Sequence, residues 1–245
     1  VALEKGSNFA VREGGLTVFS LVLPGRPASN GRRVNRAAFG PVHCAWWPYR
    51  RGDRAEPRVR AWLAATWNLA PETLSFSRDA HGRPHLDGGG QHPDLQQADL
   101  NWSHSGDWLI AACAEGARVG IDIELLRSRP KALALARRFF APEETAWLIT
   151  LTSDPARLQH AFTQLWCAKE ALLKAHGLGL SFGLEKLRFE LDDTDATPRL
   201  VACDPALGAP ADWRLQAWAP APGYLATLAW RAVVGGASAP KCDRG

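Results

Sequence analysis

The stretch VGIDIE, Val119 to Glu124, decides how the rest of the chain is read. Val119, Ile121 and Ile123 alternate with Gly120, Asp122 and Glu124, and a period of two marks a β-strand. Successive side chains of a strand point to opposite faces, so Asp122 and Glu124 project together, away from the branched apolar residues. Two carboxylates at that spacing repel each other unless a proton or a cation lies between them. Two readings stand at this point: a solvated strand edge, or a metal site that still lacks a ligand.

Outward from that strand, the composition is that of an ordinary globular protein. The chain has 245 residues, 46% hydrophobic and 22% charged, which excludes a disordered chain and allows one large domain or two small ones. No run approaches the roughly eighteen apolar residues needed to span a bilayer, and the first residues lack the basic-then-apolar layout of a signal peptide. The five cysteines (Cys44, Cys113, Cys167, Cys203, Cys242) form no CxxC pair. Free thiols in a reducing cytoplasm are expected, and a disulfide or zinc framework is not. The net charge of +4 is mildly basic, and arginines gather at Arg50, Arg51, Arg54, Arg58 and Arg60, a surface suited to something anionic. Nucleic acid, acidic proteins and phosphorylated cofactors all meet that description.

Along the chain, residues 16–23 and 42–46 read as strands. A helix is expected from Pro57, where Val59, Trp62, Leu63 and Trp67 recur at helical spacing behind a first-turn proline. "LNWSHSGDWLIAACAEG" reads as strand, tight turn and strand, with Ser105, Gly106 and Asp107 at the bend. After the acidic strand come two helices broken near Ala141 and Pro142, then one long helix stopped by Gly177 and Gly179. "LEKLRFEL" and "YLATLAWRAVV" read as closing strands. Each half thus offers strands, a main helix and more strands. The expectation is an α+β fold of two related lobes, 1–118 and 119–245.

On the long helix, "WCAKEALLK" sets Lys169, Glu170 and Lys174 among apolar residues. Glu170 and Lys174 are four apart and share a face, which alone predicts an intrahelical ion pair. Together, however, "GIDIE" and "WCAKEALLK" resemble the paired signature of the surfactin-type 4′-phosphopantetheinyl transferases, G-(I/V)-D followed by W-x-x-K-E-(A/S)-x-x-K. "GRPHL", "NWSHSG", "RRFFAPEE" and "GLGLSF" match further family motifs in order, over roughly residues 74–190.

The resemblance implies two similar α+β lobes in a pseudo-twofold arrangement, with coenzyme A and Mg2+ between them. It also implies a reaction, in which a serine of an apo acyl or peptidyl carrier protein takes the phosphopantetheine arm and adenosine 3′,5′-bisphosphate leaves. Asp122, Glu124 and Glu170 take the places of the magnesium carboxylates. Magnesium favours hard oxygen ligands and few protein carboxylates, which suits these residue types independently. Lys174, one turn from Glu170, is placed to reach the same phosphates. Glu144 aligns with an acid proposed to take the serine proton, although an acid there also simply favours a helix N-terminus. Arg83, Ser103, His104, Lys169 and Lys174 fall at positions that contact coenzyme A.

The chain departs from the family in its N-terminal part. The interval between Trp47 and Val59 is short, and Ser75 stands where a basic residue is common, with Arg78 nearby to compensate. Two rivals remain. A magnesium-dependent nucleotide or pyrophosphate hydrolase would use the same carboxylates. A nucleic-acid binder would use Trp46, Trp47, Trp62 and Trp67 beside the arginines as stacking platforms, although their spacing suits a core better. A monomeric cytoplasmic enzyme, with neither nucleic acid nor membrane as partner, is expected.

Overall fold

A computed structural model describes residues 34–87, 95, 97–191 and 197–233, so the strand expected at 16–23 lies outside them. All of these residues belong to one compact unit. The fold is mixed α+β. A four-stranded antiparallel sheet runs in the order β1 (Asn35–Phe39), β2 (Val42–Pro48), β6 (Trp108–Glu115), β5 (Ala98–Ser105). A second sheet has the order β10 (Arg214–Trp218), β11 (Tyr224–Ala232), β7 (Ala117–Leu125). Two hairpins, β3–β4 (Ser75–Arg78, Pro84–Asp87) and β8–β9 (Leu187–Glu190, Arg199–Cys203), complete the strands. The helices are α1 (Glu56–Thr66), α2 (Ala132–Phe139), α3 (Pro142–Thr150) and α4 (Pro155–His176).

The alternation read in the sequence sorts the core into layers. Val42, Cys44, Ile110 and Ala112 of the first sheet meet Val119, Ile121, Ile123 and Leu228 of the second. The residues between them, Ala45, Trp47, Leu109 and Ala111, point the other way and bury Val59, Trp62 and Leu63 of α1. On the far side α4 covers the second sheet, with Phe162, Leu165, Leu172 and Leu173 in a core shared with α2 and α3. The order is therefore helix, sheet, sheet, helix. Trp47 and Trp62 are buried edge to face in this core, at 5.9 Å between ring centroids, so neither serves as a stacking platform.

The two sheets also meet at their edges, through side chains of one and backbone of the other. Strand β5 carries a polar side chain at every second position, and these reach the backbone of β7. Asp99 Oδ2 accepts from Val119 N–H (2.8 Å), Asn101 Oδ1 from Ile121 N–H (3.2 Å) and Ser105 Oγ from Leu125 N–H (3.2 Å). Side chains here satisfy edge amides that a neighbouring strand would otherwise pair. Beside Ile123 the pattern changes, because Ser103 donates to Asp122 Oδ1 (2.8 Å).

Helix α4 begins at Asp154, whose carboxylate accepts from the Ala156 and Arg157 amides, and ends at Gly177 in the left-handed region, φ +103°. Among the described residues no helix is long and apolar enough to cross a membrane. Cys44, Cys113, Cys167 and Cys203 are free thiols.

Candidate active site

The acidic face of β7 is covered, not solvated. Gly120 shares it with Asp122 and Glu124, and a Cβ built on Gly120 would stand 2.0 Å from Ala171 O and 2.3 Å from Ala175 N. Backbone therefore meets backbone between β7 and α4, which only glycine permits. That approach brings α4 over the acids. Asp122 is 4% exposed, and its Oδ1 accepts from Lys174 Nζ (2.6 Å) as well as from Ser103. Lys174 also donates to Ser103 Oγ (2.9 Å), so lysine, serine and aspartate close a triangle drawn from α4, β5 and β7. Lys174 is therefore not confined to an intrahelical pair with Glu170.

The carboxylates are not at ease together. Burial, then the charge of Asp122, raises Glu124, against Arg129 and Ser105, which donate to its Oε2 at 2.8 and 3.1 Å. Burial, then Asp122, pushes Glu170 up to about 7, with Lys174 opposing and Glu124 adding. Burial works against the charge on Lys174, but the charge and hydrogen bond of Asp122 outweigh it, and its pKa is raised. Below lies Cys167, whose thiol points to Leu225 O (3.7 Å) and is held protonated by burial and by the nearby acids.

This donor set suits a hard divalent cation by its chemistry. Asp122 Oδ2 is buried without a hydrogen-bond partner, and a positive charge beside it would satisfy that atom and lower Glu170 together. Among the described residues no three His, Cys, Asp or Glu side chains already stand at ligating distance, and the Lys174 ammonium supplies the counter-charge.

Of the residues expected to contact a cofactor, Ser103 and Lys174 join this cluster. His104 stands exposed near the end of β5, stacked on Tyr49 with ring centroids 4.8 Å apart and planes 24° apart. Tyr49 is buried and donates through its hydroxyl to Asp53 O (2.6 Å), which anchors that platform. Arg50, Arg51 and Arg54 are exposed nearby in the chain, whereas Arg58 is tied to Asp53 and Arg60 to Glu56.

Three expectations take a different form. Lys169 is fully buried, and its ammonium is spent on Glu144 Oε2 (2.8 Å), Leu184 O (2.9 Å) and Leu187 O. With three donors engaged inside the core, between the rings of Phe140 and Phe189, none is left for a cofactor. Burial depresses its pKa, with Glu144 opposing. Glu144 is 3% exposed; Oε2 also accepts from Ala141 N–H (2.9 Å) and Oε1 from Phe189 N–H (2.8 Å). It reaches back to cap α3, the alternative that the sequence left open, and neither oxygen faces an incoming hydroxyl. Arg83 is 6% exposed and bonded to Asp99, Val119 O and Lys174 O, not turned to solvent.

Asp99, Asn101, Arg129 and Tyr49 are not among the residues that the sequence analysis singles out. Polar residues at every second place of "ADLNWSHS" signal the first two; Arg129 and Tyr49 belong to no motif.

Residues 118–229 match the family model described as the 4′-phosphopantetheinyl transferase superfamily. The chain is 38% identical over 153 residues to 4′-phosphopantetheinyl transferase psf-1 of Bacillus pumilus, covering 62% of this chain and 60% of that protein. It is 35% identical over 133 residues to 4′-phosphopantetheinyl transferase Sfp of Bacillus subtilis, covering 54% of each. The chain thus spans between about half and three fifths of these curated relatives. A solved structure of Helicobacter pylori holo-[acyl-carrier-protein] synthase in complex with coenzyme A covers 45% of this chain and 96% of its own, at 18% identity and a TM-score of 0.35, a likeness that carries no argument.

Proposed function

We propose that this chain, whose residues 118–229 match the 4′-phosphopantetheinyl transferase superfamily, moves the phosphopantetheine arm of coenzyme A to a serine of an apo acyl or peptidyl carrier protein. The observation that carries the reading is positional. The matched segment contains Asp122, Glu124, Glu170 and Lys174, the residues that the fold gathers around one buried, unsatisfied carboxylate oxygen. In this reading residues 1–118 supply the nucleotide contacts and 119–245 the acidic cluster.

The serine oxygen attacks the phosphorus that bears the pantetheine and gives up its proton to solvent, the bond to the departing phosphate breaks, and adenosine 3′,5′-bisphosphate leaves. Asp122, Glu124 and Glu170 would hold Mg2+, which when bound offsets negative charge on the phosphates. Lys174 brings a fixed positive charge to the same place, oriented by Ser103 and Asp122. His104, exposed and stacked on Tyr49, would take a coenzyme A phosphate in this reading. The exposed Arg50, Arg51 and Arg54 suit the nucleotide end or an acidic carrier. The spent carboxylate of Glu144 leaves it a structural part in place of the serine base.

The test is direct. With coenzyme A, Mg2+ and an acidic apo carrier protein, the carrier should gain one phosphopantetheinyl group by mass spectrometry, with equimolar adenosine 3′,5′-bisphosphate released. Chelation, or alanine at the carrier serine, should abolish the transfer. Cleavage of coenzyme A at the same rate without a carrier would install the hydrolase reading instead.

A further inference from the structure

Arg83 closes the β3–β4 hairpin, far in sequence from α4, yet its guanidinium lies against the end of that helix. Nη1 donates to Lys174 O, one of the last carbonyls of α4. Nη2 donates to Asp99 Oδ2 (2.5 Å) and to Val119 O (3.0 Å). Asp99, itself 8% exposed, uses the same oxygen to accept from Val119 N–H (2.8 Å). The arginine stem runs past Gly177, where an added Cβ would lie 3.7 Å from Cδ. A cation at a helix C-terminus is favoured by the partial negative charge of the free carbonyls. Here the cation comes from another part of the chain and is neutralised by a buried partner.

Lys174 is consequently held at both ends. Its carbonyl is bound to Arg83, and its ammonium to Asp122, Ser103 and, at 3.4 Å, Ile121 O. Val119 and Asp122 sit three residues apart on β7, so the arginine fixes the helix end and the strand in one grip.

We propose that Arg83, with Asp99 as its counter-ion, is a positioning residue that clamps the last turn of α4 onto β7 and so sets Lys174 against Asp122. The proposal rests on the transferase reading for its kinetic arm only. Giving Arg83 to the nucleotide would strip hydrogen bonds from a buried carboxylate and two carbonyls, which that exchange would have to offset.

The test uses Arg83→Gln, Arg83→Lys and, as the variant least disturbing to folding, Asp99→Asn in the full chain. Per folded molecule, Arg83→Gln should lose about tenfold to a hundredfold in kcat, the scale of a small misplacement at a reacting centre. The Kd for coenzyme A should stay within about threefold, because no ligand contact is removed. Dephospho-coenzyme A should show the same pattern, Arg83→Lys should recover part of kcat, and Asp99→Asn should show a smaller loss of the same kind. Hydrogen exchange over the last turn of α4 should quicken in Arg83→Gln without any substrate. A Kd weakened for coenzyme A but not for its dephospho form would make Arg83 a nucleotide contact and overturn the proposal. So would a lowered melting temperature with kcat unchanged. If the unaltered chain loads no carrier, the transferase reading falls. The clamp is then decided by exchange alone, and unchanged protection at the helix end overturns it.

Discussion

At Glu170 the strain of gathering three acids becomes measurable. Its pKa is raised to about 7 in the folded chain from an ordinary value of 4.5, so the native state holds this proton more tightly than the unfolded state does. The stabilisation is fully present below about pH 4.5 and is lost as pH rises through about 7. In chelator, the melting temperature should fall from pH 5.5 to 8, and Glu170→Gln should flatten that fall. Added Mg2+ should raise it more at pH 8 than at pH 6, where the proton competes with the cation; an equal effect at both would detach Glu170 from the metal site. Glu144 poses the opposite case. With its oxygens bound to Lys169, Ala141 and Phe189, Glu144→Gln should lower stability yet leave kcat of the folded fraction near its starting value. Lys169→Met, which leaves a buried carboxylate unpaired, should cost about 3–5 kcal/mol in denaturant unfolding. A folded Glu144→Gln enzyme with no turnover would restore Glu144 as the base. The sequence showed the acids and the lysine as charged residues among apolar ones. It could not show that Glu144 and Lys169, on different helices, neutralise each other in the core.

At the scale of elements, the site depends on how near α4 can come to β7. A Cβ at Gly120 meets Ala171 O and Ala175 N, which are backbone atoms and cannot swing aside as a side chain would. Gly120→Ala should therefore push the helix off the strand and lengthen the Lys174–Asp122 contact, at a cost of at least about 2–3 kcal/mol. Urea unfolding checks the energy. An unchanged midpoint in the Gly120→Ala variant would show that the two elements are less tightly set than the structure has them. The elements themselves were legible. Period-two alternation marked β7, first-turn prolines marked α1 and α3, and Gly177 ended α4. Strands β1, β3, β4, β9 and β10 were not, since they are short, partly exposed and lack a clean apolar stripe, so tertiary pairing more than local pattern makes them strands.

For the molecule as a whole, an α+β fold and the ordering of acidic strand before acidic helix could be read from the chain, because burial repeats leave periodic traces. The way the sheets are joined could not. Nothing in a strand's alternation tells whether its polar residues meet water, as those of a free edge do, or the amides of a neighbour, as Asp99, Asn101 and Ser105 do. Apart from the contacts of Ser103 and Ser105 with Asp122 and Glu124, that joint is lopsided: β5 contributes side chains, whereas β7 contributes backbone amides that almost any sequence would supply. Inheritance therefore weighs unequally on its two sides. The residues of β7 that take part are free to drift as far as the core permits without loosening the seam, while a single mutation at residue 99, 101 or 105 removes a tooth from it. A recombined gene that kept the first half and borrowed the second would keep the means of joining; one that kept only the second would have to acquire them anew.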